Sequence, residues 1–329
     1  MKHMLNHSAM VAALALATLL IACRSSRDAS RVRASGQSPC NHQPAYTYTK
    51  ADLPQPLHQE QLPPVLTKFF SPLALHTANA IGLLPDLITL IQCRQAVQQE
   101  PGIENRLALL EAHHRALHRI SIASLEVAAV ASELDCEEER ADQLAVYLKG
   151  KEDARETRLT VGAIVVGGLG AIAAGILLAS DTESNAAEVI GIGTGLTEAA
   201  LGVLIWQNEQ TASFRHPRNA LRDIWEGPET SRIFPPSVWY YLNHPLPGQA
   251  DKSIRQQLVE RWAALGQAPD QSTRANRTSL PLFWGEGGMY SANDLENRAN
   301  MYDQLEAQVN LMQQDLKQLA LAVEALMRQ

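Results

Sequence analysis

Aromatic residues are scarce. They make up 5% of the 329 residues, and all five tryptophans fall between Trp206 and Trp284. A chain so poor in aromatics has little with which to stack bases or build an aromatic ligand cage outside that stretch. Cysteine is scarcer still, at four residues, which excludes a disulfide-scaffolded mini-domain. The chain also has no excess of positive charge. Its 28 Lys and Arg stand against 35 Asp and Glu, for a net charge of −7. That balance argues against nucleic acid as a partner, which would favour a basic face. Glycine and proline are missing from whole segments. Between Ile103 and Arg158 there is no proline and one glycine, and from Ser291 to Gln329 there is neither. Absent too are the Gly-x-Ser-x-Gly elbow, the Walker loop and the dinucleotide fingerprint. No catalytic constellation and no cofactor site is therefore expected.

What the chain has instead is one apolar, glycine-rich stretch, Leu159 to Trp206. It reads LTVGAIVVGGLGAIAAGILLAS, then a polar break DTESNA, then AEVIGIGTGLTEAALGVLIW. The first half carries no charge and as a helix is about 30 Å long, enough to cross a bilayer core. Small residues recur at i, i+4, i+8 as Gly167, Ala171 and Gly175, and again as Gly191, Gly195 and Ala199. Two such stripes predict a closely packed helical hairpin, of the kind small-xxx-small spacing supports in lipid. The competing expectation is a hairpin buried in the core of a soluble bundle. Glu198 lies near the middle of the second half, beside Thr194 and Thr197. An ionisable group at that depth is a functional candidate: three readings compete, that it faces a partner helix or an aqueous lumen, that it is protonated, or that the segment does not span. Lys149, Lys151, Arg155 and Arg158 precede the hairpin, and Arg215, Arg218 and Arg222 follow it. By the positive-inside rule both flanks would be cytoplasmic.

The flanking segments predict long helices. Ile120, Val127, Leu134, Ala141 and Leu148 step by seven, and Ala123, Val130 and Leu144 extend that face with Glu137 as an interruption. In the last segment Leu295, Tyr302, Val309, Leu316 and Val323 form one column, and Leu305, Met312, Leu319 and Leu326 another. Nearly five heptads are a coiled-coil signal. Its partner is either the 103–158 helix or a second copy of the chain. Ser291 with Asp294 fits a capping-box start. Pro85 predicts a kink or a fresh helix, and Glu100-Pro101-Gly102 a break. Between hairpin and last helix, 207–290 combines tryptophans with many prolines and predicts a small α-rich aromatic cap, the competing expectation being that Trp206 and nearby aromatics sit at a membrane interface. Its glycines Gly285, Gly287 and Gly288 are expected to form a turn. Glu111, His114 and His118 share one helix face, but no second Glu-x-x-His accompanies them, so no metal site is expected. Cys40, Cys93 and Cys136 leave the disulfide pairing open.

The N-terminus resembles a bacterial lipoprotein signal peptide. Lys2 opens it, Ala9 to Ile21 is apolar and too short for an ordinary span, and Leu20-Ile21-Ala22-Cys23 matches the lipobox. The resemblance covers residues 1–23 only. It implies that Cys23 becomes the acylated mature N-terminus. It also implies that Arg24 favours the outer over the inner membrane. Export to the periplasmic side then conflicts with the charge flanks, and the local motif carries the greater weight.

The expected fold is all-α, an elongated helical bundle or coiled coil with an apolar hairpin and an aromatic cap. Its expected segments are a signal peptide (1–22), a disordered Pro/Arg linker (23–64), stalk helices (65–158), hairpin (159–206), cap (207–290) and coiled-coil helix (291–329). The expected role is that of a lipid-anchored cell-envelope protein with a structural or interaction function. Its partners would be membrane lipid and a protein or second copy. The alternative is an α-helical membrane-inserting protein, similar in layout to pore-forming proteins, that keeps its hairpin packed until insertion.

Overall fold

The computed structural model describes residues 40–42, 44–57, 62–179, 186–207, 209–248, 251–268 and 281–328. The fold is all-α apart from one two-stranded ribbon. In chain order the elements are α1 (Pro64–Phe69), α2 (Pro72–Ala80), α3 (Leu84–Gln99), α4 (Ile103–Ala179) and α5 (Ala186–Trp206). There follow β1 (Thr211–Arg215), α6 (Ala220–Glu226), α7 (Pro236–Asn243), α8 (Ile254–Ala264), β2 (Gly287–Ser291) and α9 (Ala292–Arg328).

Helix α4 dominates. Its 77 residues span about 115 Å at 1.5 Å per residue. The boundary expected at 158/159 does not exist as a structural break. The stalk helix runs without interruption into the first half of the hairpin, because nothing between Gly102 and Ala179 removes an amide donor.

Helix α9 runs antiparallel along the first two-thirds of α4. The heptad columns become the seam. Leu295, Tyr302, Leu305, Val309, Met312, Leu319 and Val323 are wholly buried, as are Val127, Leu134 and Ala141 of α4. Polar contacts fix the register at its ends and middle. His113 Nε2 meets Glu324 Oε1 at 3.0 Å, Ser124 Oγ donates to Gln313 Oε1 at 2.7 Å, and Lys149 pairs with Glu296. The expected capping box starts α9, with Ser291 Oγ accepting from Asp294 N at 3.2 Å. At Pro85 the chain begins a fresh helix, and α2 and α3 meet at 119° around Gly82, whose φ of +67° suits glycine. Arg119 Nε donates to the Ile81 carbonyl at that corner.

Three expectations are refined here. Residues 40–57 of the expected disordered linker are held to the body. Prolines do keep this stretch out of any long helix, but its remaining polar groups find partners. Cys40 is joined to Cys136 of α4 across 96 residues. Tyr46 N donates to the Arg232 carbonyl at 2.9 Å, and Tyr48 OH both donates to Phe234 O and accepts from Ser231 N. Second, α2 does not simply continue the stalk: it packs against both α9 and the cap helix α7. Seven of its nine residues are buried, and Asn79 bridges Gln55 O and the Tyr240 hydroxyl. Third, the α-rich cap also holds one strand pair. Strands β1 and β2 pair antiparallel, Thr211 opposite Ser291 and Arg215 opposite Gly287. The glycines expected as a plain turn are fitted to this ribbon. Gly287 sits at φ +107°, and a Cβ there would lie 2.2 Å from the Phe214 carbonyl oxygen.

Candidate functional site

Two features stand out, the hairpin of α4 and α5 and a buried charge cluster beside its root. The hairpin follows from the sequence directly. Uncharged residues propagate α4 to Ala179, and α5 returns along it. The register is set where glycines admit bulk from the opposite helix. A Cβ on Gly167 would lie 2.0 Å from Glu198 Oε1, and one on Gly170 would lie 2.1 Å from Thr194 Cγ2. Thr197 returns its hydroxyl proton to the Gly193 carbonyl at 2.9 Å.

The seam differs from the expected stripes. Along α4 the less exposed positions are Leu159, Gly162, Ala163, Val166, Gly167, Gly170, Ala173 and Ala174, and along α5 they are Thr194, Leu201 and Ile205. These steps of three and four are the pattern of a heptad seam. An i, i+4, i+8 stripe drifts off such a seam. Of the expected packing residues only Gly167 makes a close approach. Ala171 and Ala199 are exposed, and nothing lies within 4 Å of a Cβ at Gly175 or Gly195. The surroundings of Gly191 lie outside the described residues. Glu198 does face a partner helix, since its carboxyl lies against Gly167 of α4.

The rest of the hairpin is uncovered. Between Leu159 and Ile176 only Gly170 is buried. Eleven large apolar side chains of the hairpin are exposed, among them Ile164, Leu169, Ile172, Ile176 and Leu196. At about 1.5 kcal/mol for full burial of each, and with about three-fifths of each exposed, leaving them in water forfeits roughly 10 kcal/mol, comparable with the whole stability of an ordinary domain. By length and composition α4 is able to cross a membrane, while the apolar part of α5, Ile192–Trp206, is a shorter run. The five tryptophans divide. Trp239, Trp262 and Trp284 are buried in the cap and Trp225 is half-buried, but Trp206 at the end of α5 is 84% exposed.

The charge cluster was not anticipated. Glu133, Glu137 and Arg140 of α4 and Arg298 of α9 are all buried, Arg298 completely. Arg140 Nη1 donates to Glu137 Oε1 at 2.7 Å and Nη2 to the Arg215 carbonyl at 3.1 Å. Arg218 grips Glu133 through two nitrogens, at 2.7 and 3.2 Å, and Asn41 beside Cys40 donates to the same carboxylate. Arg298 donates to Phe283 O, Asn219 Oδ1 and Tyr302 OH. The ring of Phe214 from β1 lies between the two guanidinium groups, 4.9 Å from Arg140 and 5.9 Å from Arg298. Burial pushes the Glu137 carboxyl up, and Arg140 and Arg298 oppose that shift. His216 next to this cluster is wholly buried. Burial and then the Arg298 charge push its imidazole down to about 2. Tyr290 gives its proton to Leu282 O at 2.6 Å, so the His216 Nε2 at 2.7 Å is the donor of that pair. The arrangement locks a neutral histidine in place, which is a fastening rather than an acid–base pair open to substrate.

One signal for the cluster was in the sequence. Glu137 interrupts the α4 column, and Arg298 sits at the head of the Leu305–Leu326 column, so the two interruptions belong to the same seam. Residues 135–137 are helical, with Cys136 in the disulfide and Glu137 turned inward. Glu111, His114 and His118 are exposed, and the rings of the two histidines stack at 6.1 Å. Among the described residues no group of His, Cys, Asp and Glu is placed to hold a metal ion. The lipobox and Cys23 lie outside the described residues. No protein-family model, curated protein or solved structure matches the chain.

Proposed function

We propose that the chain is a lipid-anchored protein of the bacterial cell envelope whose hairpin seats in a bilayer. Its body, held on the same continuous helix, would then be presented to a protein partner or a second copy, in a structural rather than a catalytic role. The observation that carries this reading is the uncovered apolar hairpin, since lipid removes a cost that water would impose. Two features from other parts of the chain support the compartment. The lipobox-like sequence ending at Cys23 fits export and acylation on the periplasmic side, with Arg24 leaning towards the outer membrane. The Cys40–Cys136 disulfide suits an oxidising compartment. The rival reading, a hairpin stored in packed form until insertion, has less support, because no described element other than α4 packs extensively against α5.

The test uses the chain beginning at Arg24, without signal or acyl anchor, expressed in a bacterium and washed with carbonate. Recovery in the washed membrane pellet, extractable only by detergent, is expected. Recovery as a soluble, monodisperse helical species would overturn the seated hairpin.

A further inference from the structure

We propose that Lys151, Arg155, Arg158 and Trp206 form a collar at the root of the hairpin that takes the anionic phosphate headgroups of the bilayer leaflet nearest the body. This rests on the seated-hairpin reading and adds to it a membrane level and a lipid chemistry.

Three observations place the collar. Lys151, Arg155 and Arg158 stand at i, i+4, i+7, which puts them on one flank of α4, and all are exposed. The last of them immediately precedes Leu159, where the uncharged run begins. Second, these cations are not consumed by the fold. Lys149, one turn earlier, is paired with Glu296. Arg155 and Arg158 have no ion pair among the described residues, and Lys151 lies 4.5 Å over the Tyr147 ring. The nearby carboxylates lie off the basic flank, towards the side of the helix that faces the end of α5. Glu152 accepts from Gln210 N at 2.7 Å on the side facing the end of α5, and the spacing of Asp153 and Glu156 puts them away from the basic flank. Third, an indole stands at the same level. The Gly167–Glu198 and Gly170–Thr194 approaches fix an antiparallel register, and extending it brings Trp206 beside Leu159. Trp206 lines one hollow with Glu152, Glu156 and Glu209, in agreement with that register, so the indole stands at the level of the cations but on the acidic side of the root.

Cations and an exposed indole at one end of an apolar span are what a water–lipid interface selects. From Leu159 to Ala179 the helix rises about 31 Å, roughly the thickness of a hydrocarbon core. The collar also removes the conflict between export and the positive-inside rule. These cations would be ligands for headgroups met by the folded protein, and so not a record of a cytoplasmic flank.

The test follows Trp206 in the full-length protein reconstituted into mixed phosphatidylcholine and phosphatidylglycerol vesicles. In one set only the phosphatidylcholine is brominated, and in the other only the phosphatidylglycerol. The Trp206 signal is the difference between the native protein and Trp206→Phe. Quenching by brominated phosphatidylglycerol is expected at about three to ten times its mole fraction and should decline with salt. The triple variant Lys151→Gln, Arg155→Gln, Arg158→Gln should return it to the mole fraction, while Arg155→Lys with Arg158→Lys should retain the enrichment. Circular dichroism of each variant checks that α4 is intact. Equal quenching by the two lipids would overturn the collar and leave the hairpin seated. No quenching of Trp206 by either would overturn both.

Discussion

Arg298 shows how a single residue can decide the character of a seam. It occupies a coiled-coil position that leucine or methionine fills in the next four heptads, and it is completely buried. Its cost is offset by three acceptors, Phe283 O, Asn219 Oδ1 and Tyr302 OH, and by the nearby Glu137 carboxylate. Arg298→Ala should therefore destabilise the fold by about 3–5 kcal/mol, the penalty for stranding the partners of a buried charge; denaturant unfolding would measure it. The buried histidines give a second prediction at this scale. Burial pushes His76 down to about 4 and His216 to about 2, so both are neutral in the native state at pH 7. Unfolded, each titrates near 6.5. Between pH 6.5 and about 4 the unfolded chain binds more protons than the folded one, so stability falls as pH drops through that window and is fully present above it. Glu137 and Asp223, whose carboxyls burial raises, act in the opposite sense. Thermal unfolding from pH 7 to 5 should show a declining midpoint, and His76→Gln should flatten that slope.

At the scale of elements, the hairpin is a test of which glycines matter. Gly170 faces Thr194, and a Cβ at Gly175 would meet nothing within 4 Å among the described residues. Gly170→Val should force α5 away from α4 at an overpacking cost of about 1–3 kcal/mol. Gly175→Val should leave the pair unchanged. Spin labels at exposed positions of α4 and α5 would read the interhelix distance in both. Equal behaviour of the two variants would count against the seam described here. The strap at 40–57 makes the companion point. Its prolines were legible as a bar to long helix, but irregular backbone need not be free backbone. Here the disulfide and three tyrosines, Tyr46, Tyr48 and Tyr240, supply what a ladder of backbone hydrogen bonds would have supplied.

Taken whole, the molecule divides along one helix. The part of α4 before Lys149 is packed by α9, α3 and the cap, and the part after Leu159 is packed by α5 alone among extensive contacts. The body should therefore fold without the hairpin. Replacing 160–205 by a short Gly/Ser linker is expected to give a helical protein with the Cys40–Cys136 bond intact and a thermal midpoint within a few degrees of the parent. Size-exclusion chromatography should find it soluble without detergent. Aggregation of that variant would mean that the hairpin helps to build the body.

The sequence by itself determined the helices, because heptad spacing and missing prolines are local properties that no tertiary context reversed. It also determined that 159–206 would form an apolar hairpin, since two glycine-rich apolar runs around a polar break, the first uncharged and the second carrying Glu188 and Glu198, have few other solutions. It did not reveal that stalk and hairpin share one helix, because a change of composition from charged to apolar is not a change of backbone. The small-residue stripes were misplaced because i, i+4 spacing describes one helix alone, whereas the seam depends on how two helices cross. Only the tertiary structure paired Cys40 with Cys136, brought Glu137 into the field of Arg298, and joined β1 to β2 across more than seventy residues. Each of these depends on distances between segments remote in the chain, and those distances are set by the packing of α9 on α4.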